Sequence, residues 1–255
     1  MTLGPGRLAL LGALVFFAGV VDSLAGGGGL ITLPAYLAAG LDPALVLGTN
    51  KLASSIGTTA ACLNYQRRHR LAPSDLAWPT LSCLIGAFLG ARLAVRIGPA
   101  FIRAAILVIL PILASLLLRR RRFGERDDSA RHSTGGLRLL MAGISLPLGF
   151  YDGLFGPGTG TFMALALARV CGFDLLAATT RAKWLNLATN MSALLAFSLA
   201  GRVDRELGLA MGLASVCGNV AGSHLGLKRG AHAIRPAVIA VCAALFVKLL
   251  LDSLR

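Results

Sequence analysis

Eight stretches of this chain, residues 8–21, 44–65, 76–93, 102–118, 137–150, 175–200, 207–227 and 233–251, are strongly apolar and carry few charges. Most approach or exceed the roughly 20 residues an α-helix needs to cross about 30 Å of hydrocarbon. Hydrophobic residues make up 56% of the 255 positions and charged residues 14%, against about a quarter charged in a soluble domain. A mean hydropathy of +0.74 agrees. The expectation is an all-α integral membrane protein with about eight transmembrane helices.

The net charge of +14 would suggest nucleic acid in a soluble protein. Its placement argues otherwise. Arg67, Arg68 and Arg70 fill one loop, and Arg119, Arg120, Arg121, Arg122, Arg126, Arg131 and Arg138 fill or flank another. Clusters beside apolar runs mark cytoplasmic loops and favour anionic lipid. The expected topology puts this linker and both termini in the cytoplasm of a multi-pass inner-membrane protein. Arg92, Arg96 and Arg103, with Lys228, Arg229 and Arg235, are expected near the opposite face. Cys62, Cys83, Cys171, Cys217 and Cys242 form no C-x-x-C pair and read as packing residues, and His224 has no second ligand at metal spacing. No metal or cofactor is expected.

Sliding the sequence on itself by 130 to 132 residues matches polar and glycine positions better than apolar ones. Gly19-Val-Val-Asp22-Ser-Leu-Ala-Gly26-Gly-Gly28 falls on Gly149-Phe-Tyr-Asp152-Gly-Leu-Phe-Gly156-Pro-Gly158, and Thr49-Asn50-Lys51 on Thr180-Arg181-Ala182-Lys183 with one insertion. Gly86 and Gly90 meet Gly218 and Gly222. Duplication accounts for this, with repeats at 1–118 and 137–255 and an arginine-rich linker at 119–136, a common construction in secondary transporters. The short apolar pieces 30–39 and 162–170 are open to three readings: half of a broken helix, an arm of a re-entrant hairpin, or a further crossing. With them, parallel or inverted repeats also stays open.

Gly26-Gly27-Gly28-Gly29 and Gly156-Pro157-Gly158-Thr159-Gly160 interrupt apolar sequence at equivalent depth. Glycine costs a helix about 1 kcal/mol per residue relative to alanine and proline about 3, so such runs unwind it. Broken backbone at membrane depth must be buried in protein or line a wet cavity. Small residues most often serve close helix packing, but four consecutive glycines mirrored mid-chain point to a site. The restarting helices would aim N–H groups and a positive dipole end at an anion.

Of the eleven acidic residues, Asp22 and Asp152 alone fall within membrane segments away from helix starts, and they are repeat equivalents. Asp42 and Asp174 stand where N-capping explains them. Lys51 and Lys183 follow the glycine breaks symmetrically, beside Thr49, Asn50 and Thr180. Snorkelling could explain either lysine alone; their symmetry favours a shared polar centre. Asn186 and Asn190 share a helical face with Lys183, where the first half carries Ser54 and Thr58.

These residues carry a family resemblance. Gly19-x-x-Asp22-Ser-x-x-Gly26-Gly-Gly-Gly29-Leu-Ile-Thr-Leu-Pro34, then Gly48-Thr49-Asn50-Lys51-Leu52, then Gly149-Phe-Tyr-Asp152-Gly-Leu-Phe-Gly156-Pro-Gly158 resemble the TauE/SafE, or sulfite exporter, family of membrane transporters over nearly the whole chain. The resemblance implies a secondary transporter of sulfite, organosulfonates or related organic anions, and no enzyme. The expected mechanism is alternating access. An anion near the midplane would be held by N–H groups of Gly27, Gly28, Gly158 and Thr159 and by Lys51 and Lys183, while Asp22 and Asp152 orient the lysines or take a coupling proton. The expected partners are that anion, the bilayer and protons, with no nucleic acid. The rivals are an intramembrane aspartyl protease built on the two carboxylates and a noncatalytic membrane scaffold.

Overall fold

In a computed structural model of the chain, described for residues 4–68, 71–97, 126–229 and 232–233, the secondary structure is helical, with no strand among the described residues. The helices are α1 (Pro5–Ala25), α2 (Gly29–Ala38), α3 (Pro43–Arg68), α4 (Pro73–Arg96), α5 (Thr134–Leu154), α6 (Thr159–Val170), α7 (Leu175–Leu199) and α8 (Arg205–Arg229). The expected crossings 102–118 and 233–251, Arg119 to Arg122 of the linker, Arg103, Arg235 and Cys242 lie outside the described residues.

By length and composition α1 and α4 are apolar enough to cross a membrane. α3, α5, α7 and α8 are as long, at 21 to 26 residues, but are more polar along their length: α3, α5 and α7 carry Lys51, Asp152 and Lys183, and α8 carries Arg205, Glu206, Ser215 and Asn219. The distribution of side chains is the reverse of a soluble protein's. Leu10, Phe17, Leu139, Leu199 and Leu213 are more than 60% exposed, whereas Thr49, Asn50, Lys51, Asp152, Lys183 and Asn190 are buried. Water would penalise both halves of that arrangement, and hydrocarbon favours both.

Close glycine contacts fix the directions of the helices. A Cβ added at Gly86 or Gly90 of α4 would collide with the backbone at Leu146 or Phe150 of α5, and one at Gly149 or Gly153 with that at Cys83 or Ala87. Contacts advance together along both chains, so α4 and α5 are parallel. The same reading holds for α8 on α1, where Gly218 meets Phe16 and Gly222 meets Val20, and for α8 on α3, where Gly208, Gly212 and Gly226 meet Leu52, Ile56 and Tyr65. Small residues let backbones approach, and the gain is dispersion and packing. Short connections reverse α3 into α4 and α7 into α8. Thus α1, α3 and α8 run one way and α4, α5 and α7 the other.

The short helices turn back. α2 runs against α1: Gly28 abuts Ala18 and Asp22, Thr32 shares a cavity wall with Val15, and Tyr36 joins the core of Leu11 and Val15. α6 runs against α5, with Phe162 on Tyr151 at a ring-centroid distance of 5.7 Å and Leu167 and Cys171 in one core with Met141. At 10 and 12 residues they span about 15 to 18 Å, half the hydrocarbon. Of the three readings of these segments, the hairpin arm is the one built. Length and apolarity alone count α1 as a crossing, but the glycine break reverses the chain.

The starts of α1 and α5 consequently lie at opposite ends of the bundle, whereas the sequence reading expects the N-terminal segment and the arginine-rich linker on one side. The end bearing Asp75, paired with Arg138 at 2.9 Å, also bears Arg67, Arg169, Arg181, Lys228 and Arg229. Lys228 and Arg229 therefore join the linker's end and sharpen the charge bias.

Gly153→Ala and Gly218→Ala force apart backbones already in contact. Each should cost about 1–3 kcal/mol of stability. Gly143, exposed on α5 with open space at its Cβ position, should gain up to about 1 kcal/mol as alanine. Thermal unfolding in detergent checks the opposite signs.

Candidate functional site

α1 ends where Gly26 takes the left-handed conformation, φ 79°, and donates its N–H to the Asp22 carbonyl at 2.6 Å. α5 ends at Leu154 before Gly156 and Gly158, φ 89° and 77°, values that L side chains rarely adopt. The two breaks cross. A Cβ at Gly26 would overlap the backbone of Gly160 and Thr161, one at Gly160 would overlap Gly26, Gly29 lies beside Pro157, and the Thr161 hydroxyl donates to the Ala25 carbonyl. Unwound backbone is thereby buried against unwound backbone, which membrane depth requires.

Two ion pairs bracket this crossing. Lys51 Nζ on α3 donates to Asp152 Oδ2 on α5 at 2.5 Å and to Asn190 Oδ1 on α7 at 2.9 Å. Lys183 Nζ on α7 donates to Asp22 Oδ2 on α1 at 2.9 Å and also to the Asp22 carbonyl. Each lysine thus pairs with the aspartate that is not its neighbour in sequence. Lys183 also places a cation at the C-terminal pole of α1, where helix carbonyls lack partners. The pairs differ in burial. The Lys51 and Asp152 side chains are 4% and 2% exposed, whereas Asp22 is 17% exposed against 1% for Lys183. Neither ammonium is free: each is engaged by a carboxylate of the opposite charge. Both Asp residues are engaged by lysines, unlike a carboxylate dyad sharing one proton.

The remaining expected site residues separate into central and local ones. Asn50 Oδ1 accepts from Thr32 Oγ1 at 2.6 Å, and the Gly28 N–H reaches Asp22 Oδ1 at 3.4 Å. Gly27 and Gly28 carbonyls accept from Leu30 and Ile31 in a tight first turn of α2, and the Thr159 N–H goes to the Gly156 carbonyl at 3.4 Å. Part of the expected N–H cradle is therefore occupied internally. Asn186 lies 3.5 Å from Thr189 on α7. Thr49 accepts from the Asp204 N–H at 2.9 Å and so ties α3 to the start of α8, and the Thr180 hydroxyl bonds back to Leu176; neither joins the centre. Asp42 and Asp174 cap α3 and α7 through Ala44, Leu176 and Ala177.

Beside Asp22 lies a cavity of about 10 Å³ walled by α1, α2, α3 and α8, with Gly28, Thr32, Ser54, Ser215 and Asn219 at its surface. Sequence reasoning gave Ser215 and Asn219 no role. Their signal was a departure from the repeat, which sets them against Cys83 and Ala87. Tyr151, whose hydroxyl donates to the Pro157 carbonyl at 2.7 Å and holds the second break in shape, was also missed.

Comparison with known proteins agrees with this architecture. The model of the family described as Sulfite exporter TauE/SafE matches residues 11–249. The chain is 38% identical to the probable membrane transporter protein ORF9 of Sinorhizobium sp over 245 residues, covering 96% of this chain and 93% of that one. It is 38% identical to the probable membrane transporter protein YfcA of Escherichia coli over 247 residues, 96% and 91% of the two chains. A probable membrane transporter protein of Haemophilus influenzae is 33% identical over 253 residues, 99% and 98%. No solved structure matches. The chain belongs to the TauE/SafE family of membrane transporters.

Proposed function

We propose that this protein is a secondary transporter that moves a small anion, sulfite, an organosulfonate or a related organic anion, across the bacterial inner membrane. It works by alternating access between two repeats of inverted topology. The observation that carries this reading is the reciprocal pairing of Lys51 with Asp152 and Lys183 with Asp22 at the crossing of two glycine breaks. Each pair joins the group of α1, α3 and α8 to α5 or α7, so rocking one packed group of helices against the other strains the pairs and frees ammonium groups at the midplane. The opposite directions of α1 and α5, whose sequences match, support the inverted reading, and broken helices at a repeat interface are a recurring transporter site.

The cavity of about 10 Å³ has room for a water molecule and none for a sulfite-sized anion. Anion entry therefore requires the pairs to part. The anion then meets Lys51 and Lys183 with N–H groups around Gly27, Gly28, Gly158 and Thr159, beside Asn50, Asn186 and Asn190. Protonation of Asp22 or Asp152 weakens its hold on the partner lysine, which couples anion binding to the proton gradient. The basic end of the bundle faces the cytoplasm and the start of α1 the periplasm. The family of transporters to which the chain belongs, and carboxylates engaged by lysines, favour this reading over a protease.

Topology is checked with Gly6→Cys and Gly135→Cys in a cysteine-free background, both positions having open space around them. An impermeant thiol reagent should label the first from the periplasm and the second only after access to the cytoplasm. Labelling of both from one side would end the inverted reading.

Removing one partner of a buried pair strands the other charge. Lys51→Met should destabilise the protein by about 3–5 kcal/mol, and Lys51→Met with Asp152→Asn should recover most of it while anion uptake stays lost. Lys183→Met should cost less, because the more exposed Asp22 can be hydrated. Asp22→Asn should alter the pH dependence of uptake more than apparent affinity. Proteoliposome uptake of sulfite, sulfonates, thiosulfate and carboxylates, read with unfolding midpoints, checks each. Wild-type affinity in both lysine variants returns those residues to a purely structural role.

A further inference from the structure

We propose that the cavity beside Asp22 is a binding site for a single sodium ion. Each of four helices brings an oxygen-bearing residue to its lining: Asp22 on α1, Thr32 on α2, Ser54 on α3, and Ser215 and Asn219 on α8; Val15, Ala18, Gly19 and Gly28 complete the wall. Hard cations take oxygen ligands. Asp22 uses Oδ2 for Lys183, while Oδ1 turns to Gly28 on the cavity wall through a long contact of 3.4 Å.

Asn219 supplies the independent observation. It is 1% exposed, and its Oδ1 is buried without a hydrogen-bond partner. The amide cannot be turned over to remove the deficit, because Nδ2 donates at 3.0 Å to the Ser215 carbonyl, a fixed acceptor that would repel Oδ1. A buried acceptor left unmatched costs about 1–3 kcal/mol, so the site calls for a donor or a cation. Size narrows the choice: about 10 Å³ admits one water-sized body. One carboxylate among neutral ligands suits a monovalent ion.

The cavity draws on both repeats, and its repeat-related positions are less polar. Asp22 and Ser54 are set against Asp152 and Asn186, but Thr32, Ser215 and Asn219 are set against Phe162, Cys83 and Ala87, and Phe162 packs on Tyr151. Three of the five oxygen-bearing positions are therefore polar on this side alone. Sodium on Asp22 competes with Lys183 for the same carboxylate, which would release the ammonium toward an anion. The sodium site itself goes beyond the anion reading and stands without it.

The test measures binding of radiolabelled Na⁺ to the purified full-length protein in nanodiscs, with choline as balancing cation and no anion substrate added. Saturable binding is expected, with K⁺ displacing it at least about tenfold less effectively than Na⁺. Asn219→Ala and Ser54→Ala should each weaken it by about tenfold or more, the scale on which metal sites respond to lost partners. Gly143→Ala, at an exposed position of α5 with open space at its Cβ, should leave it within about twofold on the same scale. If Asn219→Ala is not monodisperse, the milder Ser54→Ala decides alone. Absence of saturable binding to folded wild type means a cavity holding water only and overturns the proposal, as does unchanged affinity in the folded cavity variants. Na⁺ binding without uptake of any tested anion would leave the site standing and remove the anion reading instead.

Discussion

Two ammonium–carboxylate pairs buried at the centre of a helical bundle set the terms for the rest of this structure. A lone charge at membrane depth is costly by several kcal/mol, and a buried pair is tolerated only where its geometry is good and its remaining donors and acceptors are met. Lys51 meets this with Asp152 and Asn190, and Lys183 with both the carboxylate and the carbonyl of Asp22. Those partners sit on α1, α3, α5 and α7, so satisfying the charges brings the four helices to one place. Breaking the helices at Gly26–Gly29 and Gly156–Gly160 is what allows so many polar groups to converge there.

Around that centre, stability comes from proximity of backbones. Helices in lipid gain little from burying apolar side chains, since the surroundings are equally apolar, and instead gain from close packing. Gly86, Gly90, Gly149 and Gly153 between α4 and α5, and Gly19, Gly218 and Gly222 between α1 and α8, serve this purpose. Both seams join helices from opposite ends of the chain's internal repeat, so the halves interlock. In the proposed cycle the packed seams act as rigid bodies, and the pairs between them are the contacts that exchange.

The halves are alike in plan and unequal in chemistry. The Lys51 pair is sealed and gains a third member in Asn190, while the Lys183 pair borders a polar cavity and leaves Asp22 partly exposed. The sequence match sets Thr32 against Phe162 and Asn219 against Ala87, so the two positions differ in polarity at a few lining residues.

Much of this was legible in the residues themselves. Apolar run length set the helical membrane class, because hydrocarbon thickness fixes how many residues a helix needs. The offset of 130 to 132 picked out Asp22, Asp152, Lys51, Lys183 and both glycine runs, because polar residues in lipid survive only for a reason. N-capping at Asp42 and Asp174 was local and so was readable locally. What sequence could not decide was which lysine meets which aspartate, and in which direction the helices run. Pairs separated by 101 and 161 positions depend on how the halves interlock. Nor could it tell a helix that crosses from one that turns back, since α1 is long and apolar enough for either. The reversal seats α2 against α1, with Tyr36 among Leu11 and Val15, a contact between elements that no local signal specifies. Sequence determined the inventory of charges, breaks and small residues. Tertiary packing alone decided their partners and sides, because charge pairing and close backbone contact are properties of distance in space, and the chain specifies that distance only when every helix is in place.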